Sequence, residues 1–354
     1  MTLPLDKRDL DHILEHATPQ LVELSEGRLF LTGVTGLFGS WLLGSLAHAQ
    51  LELGLKFDVQ FLSRDPDSFL AQRPFLKTIH RLSGLQGDIR SFSSPDGASF
   101  THVIHGAATS ARETFVGEPA LRKFDTVAAG TRNTLDFAVR SRVAKFLYLS
   151  SGAVYDVRGL DAYEPISETF PGAPDPVSPA SALGLAKRTS EFFCATYSQQ
   201  SLLKSIKVAR CFSFIGPMIP LDIHYAVGNF IADGLAGRPV TIRGTGRDVR
   251  SYLYLSDLVV WLLAMLCSDD QFEVYNVGSE DARSIYDVAM MVASCFPSTT
   301  GVYAKNLQAP ETSAPSYYVP STIRAREKLK LLARINFEDG VKRTVSYYSR
   351  AIAK

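Results

Sequence analysis

The chain has 354 residues, 46% hydrophobic and 21% charged, with 37 basic against 36 acidic side chains for a net charge of +1. Apolar surface on this scale offsets chain entropy, which argues against disorder. The even charge balance argues against a broad nucleic-acid surface, and the length allows one large domain or two smaller ones.

The opening stretch MTLPLDKRDLDHILEH carries acids early and no continuous apolar run, so it does not read as a signal peptide. Residues 5–25 predict an amphipathic helix, with Leu10, Ile13, Leu14, Leu21 and Leu24 near helical spacing. RLFLTG (28–33) reads as a short apolar strand ending at glycine. LFGSWLLGSLAHA (37–49) follows as a helix with Leu37, Phe38, Trp41, Leu42 and Leu46 on one face. FDVQFLS (57–63), THVIHGAA (101–108) and AKFLYLSS (144–151) read as further strands, and FDTVAAGTRNTLDFAVRS (124–141) as a helix. Strands that are apolar nearly throughout, alternating with helices, predict an α/β fold with a doubly wound parallel sheet covered on both faces.

Residues 156–182 are dense in Pro and Gly and read as a long surface loop, a kind that usually carries function. A helix (183–200) and a strand (206–212) come next. The last third mixes short elements, among them 240–258 and the strand-like 272–279. The longest apolar run, Leu258–Leu266, is far short of the ~20 residues that span a bilayer, so no membrane partner is expected. Cys194, Cys211, Cys267 and Cys295 lie far apart, with no C-x-x-C pair and no His at ligand spacing. They read as reduced core thiols in a cytoplasmic setting, and no metal site is expected.

The first chemical motif is Gly33-x-x-Gly36-x-x-Gly39, between a strand and a helix. Gly33 and Gly36 let the turn tighten and the backbone approach a pyrophosphate, Gly39 lets the helix pack on the strand, and the helix N-terminus attracts the anion. Thr35, Leu37 and Phe38 of the same turn join them as candidate cofactor-binding residues. At the end of the second strand stands Ser63, followed by Arg64 and Asp65. An Arg there pairs with a 2′-phosphate and an acid with the ribose hydroxyls, so the reading leans slightly to NADP over NAD. The alternative is a solvated Arg64 with Asp65 facing the ribose. In Gly87-Asp88-Ile89-Arg90, Asp88 and Ile89 are candidates for the adenine, against a plain turn. In His105-Gly106-Ala107-Ala108, small Ala107 and Ala108 would let a cofactor lie over the sheet edge, and His105 reads as a packed histidine rather than a catalyst.

Taken together, TGVTGLFGSWL, GDIR, HGAATS, FLYLSSGAVYD, ARCFSFIGP, RGTGRDVRSYLYLSDL and YNVGSE occur in the order seen in extended short-chain dehydrogenase/reductases. The chain most resembles their nucleotide-sugar epimerase/dehydratase group, from about residue 28 to about 345. The resemblance implies a Rossmann domain holding NAD(P) over 1–212, with its core at 28–212 and completed by part of 248–280. It implies a smaller mixed region over 213–354, mainly binding a nucleoside-diphosphate sugar, and a homodimer through helices near 120–141 and 183–200. It also implies Ser151 and Lys187 as catalytic residues, Lys187 reaching the nicotinamide ribose. Arg250 would grip the substrate diphosphate and Asn229 would add a donor; otherwise Arg250 makes a surface ion pair with Asp248 or Asp257.

The chain departs from the family where chemistry is decided. The family carries Tyr-x-x-x-Lys, but four residues before Lys187 stands Leu183. A phenol near a lysine has a lowered pKa and can move the alcohol proton, and leucine cannot. Three readings stay open. Either a substitute acid or base comes from Tyr155 or from Asp156, Asp161, Tyr163, Glu164 or Glu168; or the chain binds without much turnover; or the chemistry needs no Tyr. The Asp-Glu pair that serves 4,6-dehydratases is replaced by Gly152 and Ala153, and Ser213 stands where epimerases often carry Asn. No second phosphate-binding Arg stands in QAPETSAPS (308–316). The expected reaction is epimerisation, dehydration or keto-reduction near sugar carbon 4, with a binding module lacking turnover as the rival.

Overall fold

A computed structural model describes residues 5–25, 27–93, 98–109, 111–157, 164–223, 225–296, 301–304 and 315–352. The chain opens with α1 (Lys7–Ser25), β1 (Arg28–Thr32), α2 (Leu37–Leu53), β2 (Asp58–Ser63), α3 (Pro66–Ala71) and β3 (Leu82–Gln86). Then come β4 (His102–His105), α4 (Ala111–Phe115), α5 (Ala120–Arg140), β5 (Lys145–Ser151), α6 (Ala182–Gln199), β6 (Ser205–Cys211) and β7 (Phe214–Ile215). After α7 (Ala226–Leu235) follow β8 (Val240–Ile242), β9 (Val249–Arg250), β10 (Leu253–Tyr254), α8 (Leu255–Cys267) and β11 (Phe272–Val277). The remainder is β12 (Arg283–Ser284), α9 (Ile285–Ser294), β13 (Val302–Ala304), β14 (Tyr317–Tyr318), α10 (Ile323–Leu329) and α11 (Phe337–Ile352).

The central sheet runs β11-β6-β5-β4-β1-β2-β3, and the pairs from β3 through β6 are parallel. The parallel doubly wound sheet expected from the sequence is therefore present. β1 and β4 are buried almost end to end because helices cover both faces. Beneath α5 the Phe30 ring lies 4.4 Å from Phe137 and 5.3 Å from Phe100, centroid to centroid. Truncating Phe137, which is buried, to Ala removes that packing at about 3–5 kcal/mol. α5 buries Val127, Thr131, Thr134, Leu135 and Ala138, spaced three and four apart, as an amphipathic helix does.

To the central sheet the structure adds one strand that the sequence reading lacks. β3 was not expected, because LSGLQ has a glycine at its centre and only partial burial at the sheet edge.

Two compact units make up the chain. One comprises 1–154, 173–211 and 258–275; the other comprises 155–172, 212–257 and 276–354. Residues 155–172, which the sequence reading grouped with the cofactor domain, pack with the second unit. The physical reason is a local knot of polar bonds. Ile166 bridges Pro320, and the Ile166 amide donates to the Val319 carbonyl at 2.8 Å. Asn276 donates to the Ile166 carbonyl at 2.7 Å. Among the described residues no helix is long and apolar enough to cross a membrane, and no group of three His, Cys, Asp or Glu is placed to hold a metal.

Candidate functional site

In the first unit the turn after β1 is built from close backbone approaches. Gly33 has φ +79°, and a Cβ there would lie 2.5 Å from the Gly106 carbonyl. A Cβ on Gly39 would lie 2.2 Å from the Val34 Cα. No side chain can be added at either place without moving backbone. Gly36 is the N-cap of α2 and supplies no side-chain acceptor, and no acid stands in the first turn. Thr35 and Gly36 are exposed, with Leu37 and Phe38 half-buried behind them. A seventeen-residue helix thus points its positive end at an open, glycine-lined turn, which has the shape and sign of charge that a pyrophosphate requires.

Around the end of β2, Ser63 is buried, and its Oγ accepts the Asp65 N–H at 3.2 Å. The Asp65 carboxylate accepts the Ser68 N–H at 3.0 Å and so caps α3. Arg64 extends into solvent, where its Nη1 donates to Glu113 Oε1 at 3.4 Å. Asp88 is gripped by the Arg90 guanidinium at 2.7 and 2.9 Å, and that partner holds its carboxyl down to about 2. Ile89 is half-buried against Gly130, and its carbonyl accepts from the Asn133 amide at 3.1 Å. The GDIR segment is a turn whose acid is already in an ion pair.

His105 is fully buried in a closed relay. The Ala107 N–H donates to the Thr32 hydroxyl at 3.1 Å, and the Thr32 oxygen lies 2.7 Å from His105 Nδ1. On the other side Nε2 lies 3.0 Å from the Thr131 hydroxyl, which donates to the Val127 carbonyl. With Thr131 already donating, Nε2 must carry the hydrogen and Nδ1 must accept. Burial, then the nearby Lys187 charge, pushes the imidazole down to about 3. It is the packed histidine expected, and it fixes Ala107 beside the glycine turn. Ala108 is exposed.

Lys187 is buried on α6 and donates to the Leu149 carbonyl at 2.6 Å. Burial lowers its pKa to about 8. Ser151 ends β5, and its Oγ accepts the Ala153 N–H at 3.1 Å. Leu183 packs, as Phe124 does, against the cluster of Val127, Ala128 and Ala186. One pair was missed by the sequence reading. Glu191 Oε1 accepts the Ser150 hydroxyl at 2.5 Å, and its carboxylate is paired with Arg210 at 2.6 Å. An acid one helical turn after Lys187 was the signal that could have revealed it.

In the second unit Arg250 Nη1 donates to the carbonyls of Val249 and Ser316 at 2.8 and 3.0 Å, with Asp248 at 3.9 Å. Its charge is held in place mainly by neutral oxygens. Asp257 instead accepts the Arg334 and Ile335 amides at 2.8 and 2.9 Å. Asn229 is half-buried on α7. The Tyr155 hydroxyl donates to Asn276 Oδ1 at 2.8 Å, and Glu168 accepts the Asn276 N–H at 2.9 Å. Both thus have structural partners. Asp156 is half-buried and Glu164 exposed. Asp161, Tyr163 and residues 308–314 lie outside the described residues.

The sequence model of the NAD dependent epimerase/dehydratase family matches residues 29–278. The chain belongs to that family. The motif resemblance to extended short-chain dehydrogenase/reductases is thereby borne out. UDP-glucuronic acid decarboxylase 1 of Arabidopsis thaliana is 30% identical over 233 residues, covering 66% of this chain and 51% of that protein. The chain thus spans about half the length of such curated relatives. Among solved structures, UDP-glucose 4-epimerase of Thermotoga maritima, bound to UDP-glucose, matches with a TM-score of 0.72 at 22% identity, covering 92% of this chain and 99% of the other. The dTDP-glucose 4,6-dehydratase of Streptomyces venezuelae, solved with NAD and TYD, matches with a TM-score of 0.72 at 21% identity, covering 92% and 98%. These family structures share the fold described above.

Proposed function

We propose that the chain is an NAD-dependent enzyme acting on a nucleoside-diphosphate sugar, of the epimerase, dehydratase or ketoreductase kind, with an altered acid–base group. The observation that carries this is the Gly33–Gly39 turn, where two positions reject a Cβ at the positive end of a helix with no side-chain cap. NAD, when bound, accepts and returns a hydride. Gly33, Thr35, Gly36, Leu37, Phe38 and Gly39 take its pyrophosphate. Ser63, Arg64, Asp88, Ile89, Ala107 and Ala108 surround the remainder, and Arg64 opens the site to NADP as well. Lys187, anchored through one of its three hydrogens to Leu149, directs the others at the nicotinamide ribose. Ser151 Oγ accepts from Ala153, so its own hydrogen is left to donate to a sugar oxygen. Arg250 offers its fork to the diphosphate, and Asn229 adds a donor. A UDP-sugar is the first substrate to try, given the Arabidopsis relative's name.

The proton carrier falls to Asp156 or Glu164 among the described acids of the loop, since Tyr155 and Glu168 bond to Asn276. A second reading, a binding module without turnover, is favoured by Leu183, whose place in an apolar cluster leaves no titratable group one turn before Lys187. Pairing of two copies through α5 and α6 belongs to the proposal: Phe192 is 64% exposed on α6. So does a cytoplasmic setting, in keeping with four cysteines outside any disulfide.

The test incubates the purified chain with UDP-, dTDP-, GDP- and CDP-sugars and NAD or NADP, and follows products by NMR and mass spectrometry. Conversion that Ser151→Ala abolishes supports the enzyme. Binding without conversion in every combination supports the module.

A further inference from the structure

Coenzyme choice in this fold turns on what faces the adenosine ribose at the end of the second strand. Arg64 stands there, its backbone carbonyl held by the Gln86 amide at 3.2 Å. The acid facing its guanidinium is not the neighbouring Asp65, which is turned away to cap α3. It is Glu113 of α4, forty-nine residues on, with Oε1 at 3.4 Å. Arg64 is 73% exposed and Glu113 33% exposed at the side chain, so the pair is half in solvent and easily exchanged. The nearby Asp88 is already neutralised by Arg90.

We propose that Glu113 is a specificity-determining residue for the coenzyme: its carboxylate occupies the Arg64 guanidinium and limits binding of a 2′-phosphate. The proposal rests on the reading that the glycine turn holds a dinucleotide. A 2′-phosphate carries more charge than a carboxylate and suits a guanidinium fork better, so it displaces Glu113. The displaced carboxylate stays within a Debye length of the phosphate and repels it. NAD has no such group and meets neither the gain nor the repulsion.

The experiment titrates the full chain with NAD and with NADP by calorimetry, for wild type, Glu113→Gln, Glu113→Lys and the double variant Arg64→Gln/Glu113→Gln. Glu113→Gln is expected to tighten NADP about fivefold and to leave NAD within about twofold, with the gain shrinking in about 0.5 M salt. Glu113→Lys should tighten NADP further, and the double variant should lose the gain. Binding of both coenzymes with an unchanged ratio in Glu113→Gln would overturn this inference alone. Failure of wild type to bind either would overturn the dinucleotide reading and this inference with it.

Discussion

Leu183 and Lys187 lie one turn apart on α6, and only the second carries an ionisable group. Leu183 is folded against the apolar cluster of Val127, Ala128 and Ala186. Lys187 is tied to the Leu149 carbonyl at 2.6 Å, so the lysine is anchored by the sheet and needs no phenol to hold it. Restoring the hydroxyl is therefore a clean probe of the altered chemistry. Leu183→Tyr is expected to raise the initial rate of NADH formation with a sugar substrate by about 10²-fold, the low end of acid–base assistance. The larger ring should lower stability by about 1–3 kcal/mol through overpacking. Absorbance at the NADH band and a denaturant titration read the two effects. No gain in rate with both ligands bound would mean that the space beyond Leu183 no longer admits the reaction.

Tyr155 is the phenol nearest in sequence to Ser151, and the structure gives it a different occupation. Its hydroxyl donates to Asn276, which in turn donates to Ile166 and Ser321. Tyr155→Phe should leave turnover within about threefold and lower stability by about 1 kcal/mol, from one acceptor left unmet. A loss of several orders in kcat with the melting point unchanged would instead make Tyr155 the proton carrier.

Arg250 should act on substrate binding more than on the chemical step. Arg250→Lys keeps a charge but not the fork, and charge-assisted bonds are worth about 1.5–3 kcal/mol each, so KM for a UDP-sugar should rise about tenfold or more. The rise in KM should exceed any fall in kcat. An unchanged KM would place the diphosphate elsewhere.

Lys207 offers a stability test away from the glycine turn and the end of β5. It is buried, with its ammonium on Ser205 and on the carbonyls of Ser268 and Asp270, and burial lowers its pKa from 10.5 to about 8. Between those values the unfolded chain holds a proton that the folded chain has released. The contribution of this lysine to stability therefore rises as pH climbs from about 8 towards 10.5, and is lost as pH falls back through 8. Urea unfolding at pH 7.5 and 9.5 should show wild type gaining on Lys207→Met at the higher pH. An equal difference at both values would put the ammonium in a solvated state.

Much of this architecture was legible in the residues. β1, β2, β4, β5 and β6 are short apolar runs, and α5 and α6 carry the helical period, so both kinds declare themselves locally; α2, expected to bury one face, is instead buried all round from Gly39 to Ala49. The glycine turn was legible because three glycines at fixed spacing have one physical use between a strand and a helix. What escaped depends on partners far along the chain. β3 is a weak edge strand that its pairing with β2 makes regular. The bond of Glu168 to Asn276 spans more than a hundred residues, and the ion pair of Glu113 with Arg64 spans forty-nine. The capture of Asp88 by Arg90 was local, yet an acid two residues from an arginine has many other arrangements.

The relay through His105 has an experimental meaning of its own. An imidazole sealed between two threonines, with one nitrogen always accepting and the other always donating, stays electrically silent across the whole neutral range. Should a pH–rate curve for this chain bend near 6.5, the bend belongs to some other group, and mutating His105 in search of it would only loosen the Thr32 hydroxyl that holds Ala107.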